Sequence, residues 1–146
     1  MGTEEYALIL SVISIGISFV TLWQDRKMNS INLQADYYKK VFEEYLMVRI
    51  PEAVRMLSFD EEGKLCESYK KTNEILIEML DKCAYFAYAN NSFYEELRKI
   101  VTDIDEKLVV CATEKIIDRD AQYKFIYELH VDIQNMVKKI NKAYMS

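Results

Sequence analysis

The stretch Tyr6-Ala-Leu-Ile-Leu-Ser-Val-Ile-Ser-Ile-Gly-Ile-Ser-Phe-Val-Thr-Leu-Trp23 constrains this chain more than any other. It holds 18 residues without a formal charge, between Glu4 and Glu5 on one side and Asp25, Arg26 and Lys27 on the other. As a helix rising 1.5 Å per residue it would be about 27 Å long, close to the ~30 Å of a bilayer's hydrocarbon layer. Tyr6 and Trp23 stand at its ends, where rings with a polar tip favour the membrane interface. A secretory signal would carry positive charge before the apolar run and small residues at a cleavage site after it. Here the lead is acidic and the run ends in Leu22-Trp23-Gln24-Asp25. The sequence predicts an uncleaved transmembrane helix within residues 1–25, and a separate helical domain over residues 26–146.

Orientation follows from the distribution of basic residues. None precedes Tyr6, whereas Arg26, Lys27, Lys39 and Lys40 follow the run closely. The positive-inside rule then places the N-terminus outside and everything after Trp23 in the cytoplasm. Cys66, Cys83 and Cys111 are an odd set without CxxC spacing, as small core residues of a reducing compartment would be.

Within the run, Ser11, Ser14, Ser18 and Thr21 are spaced 3, 4 and 3, so they share one stripe of a helix, which Asp25 extends. The other faces are Ile, Leu, Val and Phe. Three arrangements suit such a stripe. It can be a helix–helix seam, where small hydroxyl residues permit close packing. It can line a water-filled pore in an oligomer. Or its hydroxyls can bond back to their own backbone in a monomeric anchor. Two of the three are self-association.

Beyond the run, composition excludes several classes. Without Glu4 and Glu5 the chain carries 22 acids against 19 bases, which is not the footprint of a general nucleic-acid binder. Three glycines and one proline leave little material for hairpins or phosphate loops. The fold class is all-α: a membrane helix continuing into a cytoplasmic bundle of about four helices. Gln24 to Arg49 lacks Gly and Pro and repeats Tyr38, Val41, Phe42, Tyr45 and Val48 at helical spacing, with a bend expected near Asn29-Ser30. Pro51 starts a short helix to Leu57. Ser58 to Gly63 reads as a solvated turn. Leu65 to Ala89 reads as one long helix, with Leu76, Leu80, Cys83 and Ala87 on one stripe. Asn90-Asn91 breaks it through left-handed geometry, and Ser92-Phe-Tyr-Glu95 is a capping-box signature for a helix to about Ile117. Asp118-Arg-Asp120 caps a last helix from Ala121 to Ala143.

Catalytic chemistry finds no foothold. Ribonucleases of the HEPN type, also all-helical, need Arg-x4–6-His on a helix; here Arg119 lies eleven residues before His130, the one histidine. GxGxxG, GxxxxGKS, HExxH and CxxC are absent. Asp60, Glu61 and Glu62 lack the alternating spacing of a calcium loop. The reading is a protein without catalytic residues, cofactor or metal. Tyrosine is plentiful: Tyr85, Phe86, Tyr88, Phe93 and Tyr94 crowd the Asn90-Asn91 link, as core and subunit packing would use them. A ligand or partner surface could combine Tyr37, Tyr38, Lys39 and Lys40 with Lys138, Lys139 and Lys142.

Three segments carry a family resemblance: Ser11-Val-Ile-Ser-Ile-Gly-Ile-Ser-Phe-Val-Thr-Leu-Trp23, Arg49-Ile-Pro-Glu-Ala-Val-Arg-Met-Leu57, and Tyr85-Phe-Ala-Tyr-Ala-Asn-Asn-Ser-Phe-Tyr94 followed by Glu95-Glu-Leu. In these the chain resembles small single-span membrane effectors of bacterial anti-phage defence, such as that of the Hailong system. The resemblance implies a channel in the bacterial inner membrane that depolarises an infected cell, a nucleotidyltransferase partner, and control by a short single-stranded DNA. Two functions from different classes follow as expectations. One is a homo-oligomeric channel gated by its cytoplasmic bundle, with Asp25 ringing its mouth. The other is a non-conducting tether that holds a cytoplasmic partner protein at the membrane.

Overall fold

A computed structural model describes the backbone of residues 3–145 and the side chains of residues 13–30, 32, 33 and 35–144. The chain is all-helical, 84% helix, with no strand among the described residues. It divides into two compact units, Met1–Tyr37 and Tyr38–Ser146.

The first unit is one helix. α1 runs from Thr3 to Tyr38, with no break at Asn29-Ser30. Nothing in this stretch interrupts the backbone ladder: it holds no proline and a single glycine, Gly16, whose cost of about 1 kcal/mol does not break a long helix. From Ile13 to Trp23 the large apolar side chains are exposed on every face, Phe19 at 71% and Trp23 at 66%. Lys27 Nζ lies 5.5 Å from the Trp23 ring centroid. No helix among the described residues is long and apolar enough to cross a membrane. The side chains of Tyr6 to Val12, including Ser11, lie outside them.

The second unit opens on two π-helical segments, Lys39–Glu43 and Tyr45–Arg49. Their i→i−5 bonding, as from Ile50 N–H to Tyr45 O, widens the turn. The widening changes which side chains face inward: Val41, Phe42, Tyr45, Leu46 and Ile50 are buried, whereas Val48, expected on that face, is exposed. Pro51 then sits in the first turn of α2, Ile50–Arg55, where its missing N–H leaves no bond unmade.

Ser58 to Gly63 is a turn with Asp60, Glu61 and Glu62 exposed, as expected, and it sits within a small closed loop over residues 56–67. Asp60 Oδ1 accepts from the backbone N–H groups of Glu62 and Lys64 at 2.9 and 2.8 Å. Phe59 and Leu65 pair as an isolated β-bridge. The loop docks on the segment around Cys111 and Ile116, through Leu65 N–H to Cys111 O (3.2 Å) and Ile116 N–H to Gly63 O (2.8 Å).

α3 spans Ser68–Lys82 and a one-turn α4 spans Phe86–Ala89. The single helix expected over Leu65 to Ala89 is broken at Cys83–Tyr85 by i→i−3 bonds, such as Phe86 N–H to Cys83 O at 2.9 Å. The tightened turn re-aims Phe86 into a cluster of rings. Phe86 lies 5.2 Å from Phe93, 5.6 Å from Tyr144 and 6.4 Å from Phe42, centroid to centroid. Tyr38 joins the cluster at 5.6 Å from Tyr144.

α5 spans Asn91–Thr113 and α6 spans Arg119–Met145. Asn90, extended at φ −151° and not left-handed, is the N-cap of α5; its Oδ1 accepts from Phe93 N–H at 3.3 Å. Ser92, expected to cap, sits inside the first turn. Asp118 caps α6 as its sequence suggested, accepting from Asp120 and Ala121 N–H. The ion pairs Glu96–Lys139 and Lys107–Asp132 run down the α5–α6 seam in antiparallel register. α3 packs on α2 and the π segments on one side and on α5 on the other, and α5 packs on α6. The core lies between them: Leu76, Met79, Leu97, Ile104, Leu108, Leu129, Met136 and Ile140 are all fully buried. α2 and α6 do not pack closely on each other, and a cleft opens where they face.

Candidate functional site

The residues singled out in the sequence fall into three places. Ser14, Ser18, Thr21 and Asp25 lie on α1, and all are exposed. Ser18 Oγ donates to Ser14 O at 2.8 Å, and Thr21 Oγ1 to Ile17 O at 2.9 Å. These back-bonds satisfy both hydroxyls within the helix, so the stripe is compatible with an apolar surrounding. Ser11 lies outside the described side chains.

The tyrosine–lysine surface is only partly a surface. Tyr38 is packed: its hydroxyl donates to Asn141 Oδ1 at 3.0 Å and its ring meets Phe42 and Tyr144. Lys139 is engaged by Glu96. Lys39, Lys40, Lys138 and Lys142 are exposed, and Tyr37 is half-buried. The Tyr38–Asn141 bond brings the start of this unit beside the last turns of α6, so the lysines of both segments share one end of the bundle. Around the α4–α5 link, Phe86 and Phe93 are given to the ring cluster, while Tyr88 is 92% exposed.

The strongest electrostatic feature is a clamp between the second π segment and α3. Glu78 receives a fork of two bonds from Arg49, at 3.0 and 2.7 Å, and a third from Tyr45 Oη at 2.8 Å. These donors, Arg49 first and Tyr45 second, hold the Glu78 carboxyl down to about 2 from its ordinary 4.5. The same bond raises Arg49. Lys82 is also raised, chiefly by Tyr45, whose ring centroid lies 5.1 Å from its Nζ. With no nucleophile beside it, the clamp fixes the wide π turns to α3. Burial pushes the Cys83 thiol up to about 12 and the Cys111 thiol to about 11, which makes them inert packing groups. Among the described residues no cluster of His, Cys, Asp or Glu could hold a metal ion.

The α2–α6 cleft was not anticipated. It holds about 680 Å³, within the range of small-molecule sites. Its apolar walls include Ile50, Pro51, Val54 and Leu57 from the α2 arm and Ile126 and Ile133 from α6. Phe59 stands against it from the loop, held edge-on to Phe125 at 6.0 Å. Its polar lining is Arg55, Arg119, Gln122, Tyr123, His130 and Gln134. His130 Nδ1 lies 2.8 Å from Ile126 O, so that nitrogen carries the proton and Nε2 is left open. Sequence reasoning passed over this site because Arg55 and Arg119 lie 64 positions apart and neither belongs to a motif.

No protein family, characterised protein or solved structure matches this chain.

Proposed function

We propose that this protein is a self-associating membrane effector, with the run Tyr6–Trp23 of α1 as a single membrane span and the helical bundle as its cytoplasmic control domain. The observation that carries the reading is the apolar surface of α1. A helix with broad Ile, Leu, Val and Phe faces calls for apolar surroundings, and from Ile13 to Trp23 the large apolar side chains of this one are exposed. The cover that this calls for is lipid on the broad Ile, Leu, Val and Phe faces and other copies of the helix on the Ser11/Ser14/Ser18/Thr21 stripe. Stacked hydroxyls give a narrow polar lining, and a ring of Asp25 at its cytoplasmic end favours cations. In the defence setting that the family resemblance implies, opening such a channel depolarises an infected bacterium, and a nucleotidyltransferase or a short single-stranded DNA would control it.

Potassium flux from proteoliposomes tests this reading. The Ser14→Leu/Ser18→Leu double variant should insert normally and lose the flux. Flux equal to that of the unaltered protein would remove the stripe as the pore lining. A second reading is favoured by the back-bonds of Ser18 and Thr21, which leave those hydroxyls in no need of a partner. It is a non-conducting tether for a cytoplasmic protein, and it requires that an unrelated anchor in place of the span preserve activity.

A further inference from the structure

We propose that the α2–α6 cleft binds a small organic anion with a flat apolar body, of the kind represented by an aryl phosphate or an aromatic carboxylate. Three independent observations converge there. The walls are aliphatic and aromatic, and the space of about 680 Å³ suits a body of one or two fused rings. Arg55 and Arg119 both line it, and neither makes an ion pair among the described residues. In a chain with 24 acids, no Asp or Glu lines this cleft.

Free guanidinium groups beside an apolar wall, with no acid to oppose them, are complementary to an anion that brings its own apolar surface. A bare inorganic ion would leave the aliphatic walls unused, and a neutral ring would leave both arginines unanswered. Planar guanidinium forks match carboxylate and phosphate oxygens. Tyr123, 73% exposed at the rim, and Phe59 offer ring faces for the body. The contrasting cleft along the α5–α6 seam shows that this polarity is local: Asp103, Glu106, Glu114, Glu128 and Asp132 line that one, with Lys107.

The site does not depend on the membrane reading and is tested separately from it. Calorimetry would follow 1-naphthyl phosphate binding to the full-length chain, in whichever medium keeps it monodisperse, neutral nanodiscs or plain buffer, with that medium alone as the blank. Saturable one-to-one binding is expected, weakened roughly tenfold or more by Arg55→Gln and by Arg119→Gln. Both arginines are exposed and unpaired, so helix content by circular dichroism should not change. Inorganic phosphate and 1-naphthol, each carrying one half of the ligand, should bind at least tenfold more weakly. The proposal is overturned by unchanged affinity in the Arg55→Gln/Arg119→Gln double variant, by either half-ligand matching the whole, or by no saturable binding up to about 1 mM.

Discussion

Gly63 holds φ at +79°, and a Cβ built on it would lie 2.5 Å from Ile116 O. Its own carbonyl accepts the Ile116 N–H at 2.8 Å, so the loop cannot retreat without losing that bond. Gly63→Ala should therefore destabilise the bundle by about 2 kcal/mol or more in chemical denaturation. Glu78 gives a pH prediction. Its folded carboxyl titrates near 2 against an ordinary 4.5. Between those values the unfolded chain binds the proton that the folded chain refuses, so stability is present above 4.5 and drains away as pH falls toward 2. Glu78→Gln should flatten that acid limb of the stability curve. Some of this was legible: Cys83 and Cys111 sit in phase with Leu76 and Leu108, and both are buried. Arg49 paired with Glu78 was not, because 29 positions separate them and the pair forms where the second π segment packs on α3.

Helix existence was readable from apolar spacing, and helix ends were less so. α5 and α6 fall where Leu97, Val101, Ile104 and Leu108, and Leu129, Met136 and Ile140, place their buried faces. The break at Cys83–Tyr85 left no mark, since the apolar phase continues through Ala87 and no Gly or Pro stands there. Likewise the π segments contain ordinary helix formers, and only burial of Ile50 in place of Val48 betrays the wider turn. Ser92-Phe-Tyr-Glu95 has a capping-box pattern, yet Asn90 takes the role because its side chain already reaches Phe93 N–H. The two caps are separable by mutation. Asn90→Ala should cost about 1 kcal/mol and Ser92→Ala only a few tenths, by thermal or urea unfolding.

For the whole molecule, the all-α class and the succession of a long first helix and a bundle follow from a chain with three glycines, one proline and dense 3–4 periodicity. The α2–α6 cleft belongs to another class of feature. It arises where two elements distant in sequence fail to close on each other, and periodicity within either one says nothing about that gap. The bundle's buried core explains its own stability, whereas the large apolar side chains of α1 from Ile13 to Trp23 are exposed and call for cover. A membrane and further copies of the chain supply that cover in the proposed effector. Membrane potential, followed with a voltage-sensitive dye in bacteria producing the full-length protein, tests this most directly. The account predicts depolarisation by the unaltered chain and none by the Ser14→Leu/Ser18→Leu variant at equal membrane abundance. An unchanged potential with the unaltered protein abundant in the membrane fraction, or equal depolarisation by both proteins, would contradict it.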